Sequence, residues 1–213
     1  MYLHHYVRCA PLAWAAVAAA VASRARPEIE RHGGALYGIW RPQIGRPRDE
    51  LTAITVWPNG ADLASALRPL KALPDVRDVT AEAMQPTVRP ATPDPPRRQG
   101  SFAFRWFETP AGNWSEFLSL CEAAWPDFEA SYDSQIIGLW RIVPDPAPGL
   151  IRSLLMTRRP SLAMWERSKI PENEVEAEVR RKLSRRYDLC TDTVVYTTTL
   201  LTAEDRKDTA RWT

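Results

Sequence analysis

Tyr37-Gly38-Ile39-Trp40-Arg41 returns one hundred residues later as Ile137-Gly138-Leu139-Trp140-Arg141, and this recurrence decides the fold. The same offset lays Tyr2 over Phe102 and Trp14 over Trp114, and no gap is needed from residue 2 to about residue 70. The apolar run 53–56 (AITV) also falls on 153–156 (SLLM). A repeat of this length organises every element around it, so the elements are best read in pairs.

Residues 2–8 and 102–108 are aromatic or β-branched runs that stop before Pro11 and Pro110, as strands do. Trp114, Phe117, Leu118, Cys121 and Trp125 then form a helical stripe, which Trp14, Val17, Ala18 and Val21 echo with smaller residues. Extended segments follow near 35–41 and 51–57, and again near 135–141 and 151–157, joined by loops rich in proline and glycine. A second helix is expected to begin near Ala61 and Ser161, and the last strands near 76–84 and 193–201. In the second copy the helical region is longer, ENEVEAEVRRKLSRRY over 172–187, with acids first and basic residues last. That order suits the helix dipole, so Arg180, Arg181, Lys182, Arg185 and Arg186 are expected to form a solvated helix end rather than a phosphate site.

The pattern in each half is βαββαβ. Right-handed crossovers place both helices on one face of a four-stranded antiparallel sheet and leave the other face in need of cover. The expected class is therefore α+β: two tandem ferredoxin-like units, 1–85 and 101–202, whose open faces close into one fused, intrachain dimeric α/β barrel. The proline-rich stretch 86–100 is the expected connector and 203–213 a polar tail.

Composition narrows the function classes. Hydrophobic residues make up 45% and charged residues 25%, with a formal charge of +2, so the chain is globular and lacks the basic excess of a nucleic-acid binder. Cys9, Cys121 and Cys190 are widely separated with no histidine at metal spacing, which argues against zinc or a disulfide framework and fits a reducing cytoplasm. The apolar stretch 9–22 is too short to span a bilayer. Its match to WSEFLSLCEAAW in the second half makes Leu12–Ala25 a buried helix, with no membrane partner expected. Walker, GxGxxG, GxSxG and HExxH motifs are missing from the sequence, so no nucleotide, metal or other cofactor is expected.

Several of these residues carry a resemblance. Tyr2-Leu-His-His-Tyr-Val, Pro11, Gly38-Ile-Trp40-Arg-Pro-Gln43-Ile-Gly45 and Ile54-Thr-Val-Trp57, with Phe102-Ala-Phe-Arg105-Trp-Phe107, Gly112 and Gly138-Leu-Trp140, are similar to the NIPSNAP-like members of the dimeric α/β barrel superfamily. The family's opening strand carries Glu and Arg; here Leu3 and His5 replace them in the first copy, and Ala103 with Arg105 stand in the second. The turn after Trp140 has become PDPAPG. Single-unit relatives assemble as dimers, so the resemblance implies an internal dimer that can fold as a monomer, with a homodimer still open. It also implies cofactor-free oxygenases, isomerases and related barrels as models for the chemistry.

Strand alternation puts Leu3, His5 and Val7 on one face and Tyr2, His4 and Tyr6 on the other. The family register turns the first set, with Ala103, Arg105 and Phe107, towards the barrel interior. His5 would then be a catalytic base and Arg105 a catalytic anion stabiliser in one cavity. The alternative is that the two side chains only satisfy each other or water across the barrel. Trp40, Trp57, Trp140 and Phe107 are candidate substrate-binding aromatics, or else packing between sheet and helix. His4 suits a satisfied core or rim histidine, and His32 a helix cap. The expected protein binds a small apolar or aromatic molecule and, if catalytic, acts without a cofactor as an oxygenase, isomerase or cyclase. The alternative is a non-catalytic interaction protein with a packed barrel.

Overall fold

The computed structural model describes residues 1–206, so the part of the expected tail from 207 to 213 lies outside the described residues. The chain divides into two compact units: one holds residues 1–84, 92–99 and the described residues from 198 on, the other 85–91 and 100–197. Unit 1 contains β1 (Tyr2–Cys9), α1 (Trp14–Ala20), a π-helical turn (Val21–Ala25), α2 (Arg26–Arg31), β2 (Ala35–Ile44), β3 (Glu50–Val56), α3 (Leu63–Lys71) and most of β4 (Val76–Pro86). Its antiparallel strand order is β4-β1-β3-β2. Unit 2 contains β5 (Ser101–Pro110), α4 (Trp114–Tyr132), β6 (Gln135–Val143), β7 (Leu150–Arg159), α5 (Leu162–Arg167), α6 (Glu174–Asp188) and most of β8 (Asp192–Leu200), in the order β6-β7-β5-β8. β2 and β6 begin at residues 35 and 135, β3 and β7 at 50 and 150, so the offset seen in the sequence holds through each central hairpin.

Pairing between β1 and β3 sets Leu3, His5 and Val7 opposite Thr55, Ala53 and Leu51 on one face of the sheet. That face packs on Trp14, Val17, Val21, Ile29 and Leu70, the inner stripe of the helices. In unit 2 the matching face offers Phe107, Leu139 and Leu155 to Phe117, Cys121, Trp125 and Val179. Arg105 pairs with Leu155 and shares this face. The face expected to look into a barrel interior is therefore the helix-facing one in both units. The reason is packing: Leu3, Val7 and Phe107 are the side chains that fill the space beneath the apolar stripes of the helices.

The Gly-x-Trp-Arg motif explains itself on the opposite face. Residues i and i+2 of a strand point the same way, so each tryptophan ring can fold back over the glycine two places before it. A Cβ added to Gly38 would come within 2.5 Å of the Trp40 ring, and one added to Gly138 within 2.5 Å of the Trp140 ring. Both strands shift register at that point, between Leu36 and Gly38 and between Ile136 and Gly138. Both tryptophans are wholly buried.

The helix expected over Leu12–Ala25 begins at Trp14 and runs through the π turn to Arg31. Pro27 lies at the start of α2, where its missing N–H does least harm, and the π turn precedes it. Trp14 is buried as its stripe implies, whereas Trp114 is only half-buried and stacks on Phe117. Among the described residues no helix is long and apolar enough to cross a membrane. The proline-rich connector is not a free tether. Thr87 N–H donates to the Leu139 carbonyl and Leu139 N–H to the Arg89 carbonyl, while Gln99 N–H donates to Asp205 and Glu204 N–H to the Arg97 carbonyl.

Candidate functional site

Unit 2 holds a pocket between its sheet and its helices. Ala103 and Arg105 of β5, Leu155, Thr157 and Arg159 of β7 and Ile136 of β6 form the floor, Trp125 and Phe128 of α4 one wall. Arg180, Leu183, Arg186 and Tyr187 of α6 form the other wall, and Ser168 and Lys169, just after α5, stand at the edge. The inner cavity is about 40 Å³, within about 500 Å³ of unfilled space that includes its opening to solvent. Helical spacing accounts for the α6 contribution, because Val179, Leu183 and Arg186 at i, i+4 and i+7 lie on one stripe. The helix is fixed at its start by Asn173, whose side-chain oxygen accepts from Glu176 N–H at 2.9 Å while its amide donates to the Glu176 carboxylate at 3.2 Å.

Five cations converge on this pocket: Arg105, Arg159, Lys169, Arg180 and Arg186. Arg159 and Arg186 are only 6% and 3% exposed. Among the described residues none of the five forms an ion pair, and the nearest-lying acids for which partners are seen are engaged elsewhere. Glu176 accepts two bonds from Arg167, at 3.0 and 2.8 Å, Glu174 and Glu178 pair with Arg181, and Glu116 pairs with Arg185. What the pocket cations do have is weaker. Arg159 donates to Thr157 Oγ1 at 2.9 Å and lies 5.1 Å from the centre of the Phe128 ring. Arg186 donates to Cys121 Sγ at 3.5 Å and lies 4.8 Å from the Phe107 ring, and Arg105 lies 5.3 Å from the Tyr187 ring.

Each such ring contact is worth about 0.5–2 kcal/mol, too little to offset burying several like charges together. The strain shows in the titration of three of the five; burial lowers Arg186 as well, but Cys121 and Tyr187 outweigh it and leave that pKa raised. Burial, with the neighbouring guanidinium of Arg105, pulls the Arg159 pKa down to about 10. Lys169 falls to about 8, through burial first and then repulsion from Arg105, Arg159, Arg180 and Arg186. Arg105 is lowered by burial and by Arg186 and Arg180, with Tyr187 acting in the opposite direction.

The residues singled out from the sequence are distributed differently. Arg105 lines the pocket. His5 is wholly buried in the helix-facing layer of unit 1, its Nε2 2.8 Å from Thr55 Oγ1, and burial drives its pKa down to about 3. The structure therefore does not bring His5 to the pocket that Arg105 lines. Trp57 belongs to the same layer as His5 and donates through Nε1 to the same Thr55 oxygen at 2.7 Å. Trp40 and Trp140 cover their glycines, and Phe107 lies in the core of unit 2 beneath Arg186. None of these four aromatics lines the pocket. His4 is buried against the Tyr6 ring at 4.4 Å, and His32 caps α2, its Nδ1 2.8 Å from the Glu28 carbonyl. No metal-ligating cluster occurs among the described residues.

The solvated helix end expected over 180–186 needs correction. Arg181, Lys182 and Arg185 do make surface ion pairs, but Arg180 and Arg186 turn into the pocket. The sequence held a signal for Arg186, which falls on the apolar stripe of Val179 and Leu183 rather than on the charged face. Arg159 and Lys169 carried none, because their convergence depends on how β7 and the segment after α5 are brought beside α6. Unit 1 has its own hollow, an apolar one of about 340 Å³ along α1 lined by Trp14, Ala18, Ala22, Ile39, Leu201 and Arg206 among others, without a comparable charge cluster.

No family model matches the chain, and no curated protein does. Solved structures do. A "putative monooxygenase" from Lactobacillus acidophilus NCFM aligns with a TM-score of 0.58 at 9% identity, covering 95% of this chain and 96% of that one. An anthrone oxidase-like protein aligns with a TM-score of 0.55 at 10% identity, covering 94% and 90%. A heme-binding protein from Thermus thermophilus aligns with a TM-score of 0.53 at 14% identity, covering 94% and 90%. Likeness at such identities speaks for the fold alone, and the chain thus shares the α+β fold of these proteins.

Proposed function

We propose that unit 2 binds a small organic anion with an apolar or aromatic body, its negative group held by Arg105, Arg159, Arg180 and Arg186. The observation that carries this reading is the absence, among the described residues, of any carboxylate paired with the five pocket cations. An unpaired buried cation costs several kcal/mol, on the order of a few for each after relaxation, and an anionic ligand supplies the missing partner. The inner cavity suits a carboxylate head, while Trp125, Phe128, Ile136 and Leu183 offer apolar contact to the rest. The wider frame we read as two copies of one βαββαβ unit closed into a fused barrel, NIPSNAP-like in its motifs. In support, β4 ends among the residues of unit 2 and β8 among those of unit 1.

One structural neighbour is a heme-binding protein, which raises the question of whether this pocket suits a heme. The arginines fit acidic side groups, but all three histidines, at 4, 5 and 32, lie in unit 1, and the lining offers only Lys169 and Tyr187 as donors to a metal. The pocket does not fit a histidine-ligated heme. A catalytic version of the reading is cofactor-independent oxygenation, isomerisation or cyclisation of a ligand that forms an enolate or phenolate, which the arginines stabilise. In that version the proton acceptor is a group of the pocket itself, because His5, with its pKa near 3 and its bond to Thr55, is a weak base held in the other unit.

Isothermal titration with 1-naphthoate and with neutral 1-naphthylmethanol tests the proposal. The expected result is binding of the carboxylate, weakened about tenfold or more in Arg105→Gln, as loss of a charge-assisted bond implies. Equal binding of acid and alcohol, or no effect of the substitution, would overturn it.

A further inference from the structure

Arginine is this chain's usual cation: of its 28 basic residues, 24 are Arg and four are Lys, at 71, 169, 182 and 207. One of the four stands in the pocket, at Lys169, among four arginines. An arginine there would hold an anion better, since its guanidinium forks onto a carboxylate and never loses its charge. A lysine offers what arginine lacks, an amine that can become neutral and attack carbon.

The surroundings prepare it for that. Lys169 follows α5 in a tight turn, its N–H donating to the Glu166 carbonyl at 2.9 Å, and its ammonium lies 4.8 Å from the centre of the Trp165 ring. The titratable and charged groups of the pocket are Arg105 from β5, Arg159 from β7, and Arg180, Arg186 and Tyr187 from α6, with no carboxylate among them. The Trp165 ring favours the ammonium, but burial and the like charges of four arginines on three elements outweigh it and favour the free amine. The same arginines would hold a carboxylate of the substrate beside it.

We infer that Lys169 is the nucleophile of an imine-forming site for small carbonyl compounds that carry a carboxylate, such as 2-oxo acids and aldehyde acids. This rests on the anion pocket proposed above. In the step, the neutral amine adds to the carbonyl carbon, a C–N bond forms, and both N–H protons leave with the carbonyl oxygen as water. No electrons are exchanged and no co-reactant is required. The lowered pKa of Lys169, about 8, leaves a usable fraction of free amine near neutral pH.

Glyoxylate is the probe, with sodium cyanoborohydride to reduce the imine and intact mass plus peptide mapping to locate the adduct. In the native protein Lys169 should be labelled at least tenfold faster than Lys71, Lys182 or Lys207. Its rate should be half-maximal near pH 8 rather than in the ordinary lysine range. Lys169→Arg should remove that adduct, and a circular-dichroism spectrum and urea midpoint matching the native protein's show that the variant is folded. Labelling spread evenly over the four lysines, or an ordinary lysine pH profile at Lys169, would overturn the inference. If 1-naphthoate binds in an Arg105-dependent way and Lys169 is not labelled, only the imine step fails; if neither probe engages the pocket, the anion reading fails with it.

Discussion

Positions 5 and 105 sit at matching places in the two units, on the opening strand, facing the helices, opposite Ala53 and Leu155 respectively. The first is a histidine and the second an arginine, and the surroundings follow from that difference. Histidine can shed its proton, so His5 is buried neutral with one bond to Thr55, inside a layer of Leu3, Val7, Trp57 and Ala53. Arginine keeps its charge in protein interiors, so Arg105 needs a partner, and the layer around it contains a hollow and more cations instead of acids. The two units thus differ in a packed apolar layer around His5 and a charged pocket around Arg105.

The first way to challenge this comparison is to strike what the units share. Trp40→Ala and Trp140→Ala each remove a wholly buried ring seated on a glycine, and each should cost about 3–5 kcal/mol in urea unfolding. A loss in one unit only would show that the Gly-x-Trp device is not equivalent in the two.

The next effect belongs to unit 1 alone. The folded pKa of His5, about 3, lies below the ordinary 6.5 of the unfolded chain. Above pH 6.5 both states are neutral and stability is complete; as the pH falls from 6.5 towards 3 the unfolded chain takes up a proton that the native state refuses, and stability is lost. Denaturation midpoints followed across that range should fall for the native protein, and His5→Gln should remove part of the slope. An unchanged slope would mean that His5 is not the buried neutral group.

The smallest expected effect has the opposite sign and belongs to unit 2. Arg105→Met removes an unpaired cation while keeping an apolar stem of similar length, and should stabilise the ligand-free protein by about 1 kcal/mol. A clear destabilisation would show that Arg105 serves the fold, and the contrast between the two positions would lose its functional meaning.

The periodicities were legible from the residues alone because they are local. Alternation, helical spacing and the hundred-residue offset placed β1, β5, α4 and both central hairpins, while the family resemblance, with the difference between equivalent positions 5 and 105, singled out His5 and Arg105. The face those members occupy was not legible. Period two separates a strand into two sides but does not say which side meets helices, and here Leu3, Val7 and Phe107 fit beneath the helical stripes. The pocket was hidden for a related reason. Arg159, Lys169, Arg180 and Arg186 lie on three separate segments, each ordinary by itself, and Arg186 looked like one more basic residue at a helix end. What the sequence determined is the order and type of elements, which depend on neighbours a few residues apart. Only the tertiary structure decided that five cations would meet without an acid between them, because unpaired charge is a property of distances between segments that the chain brings together by folding.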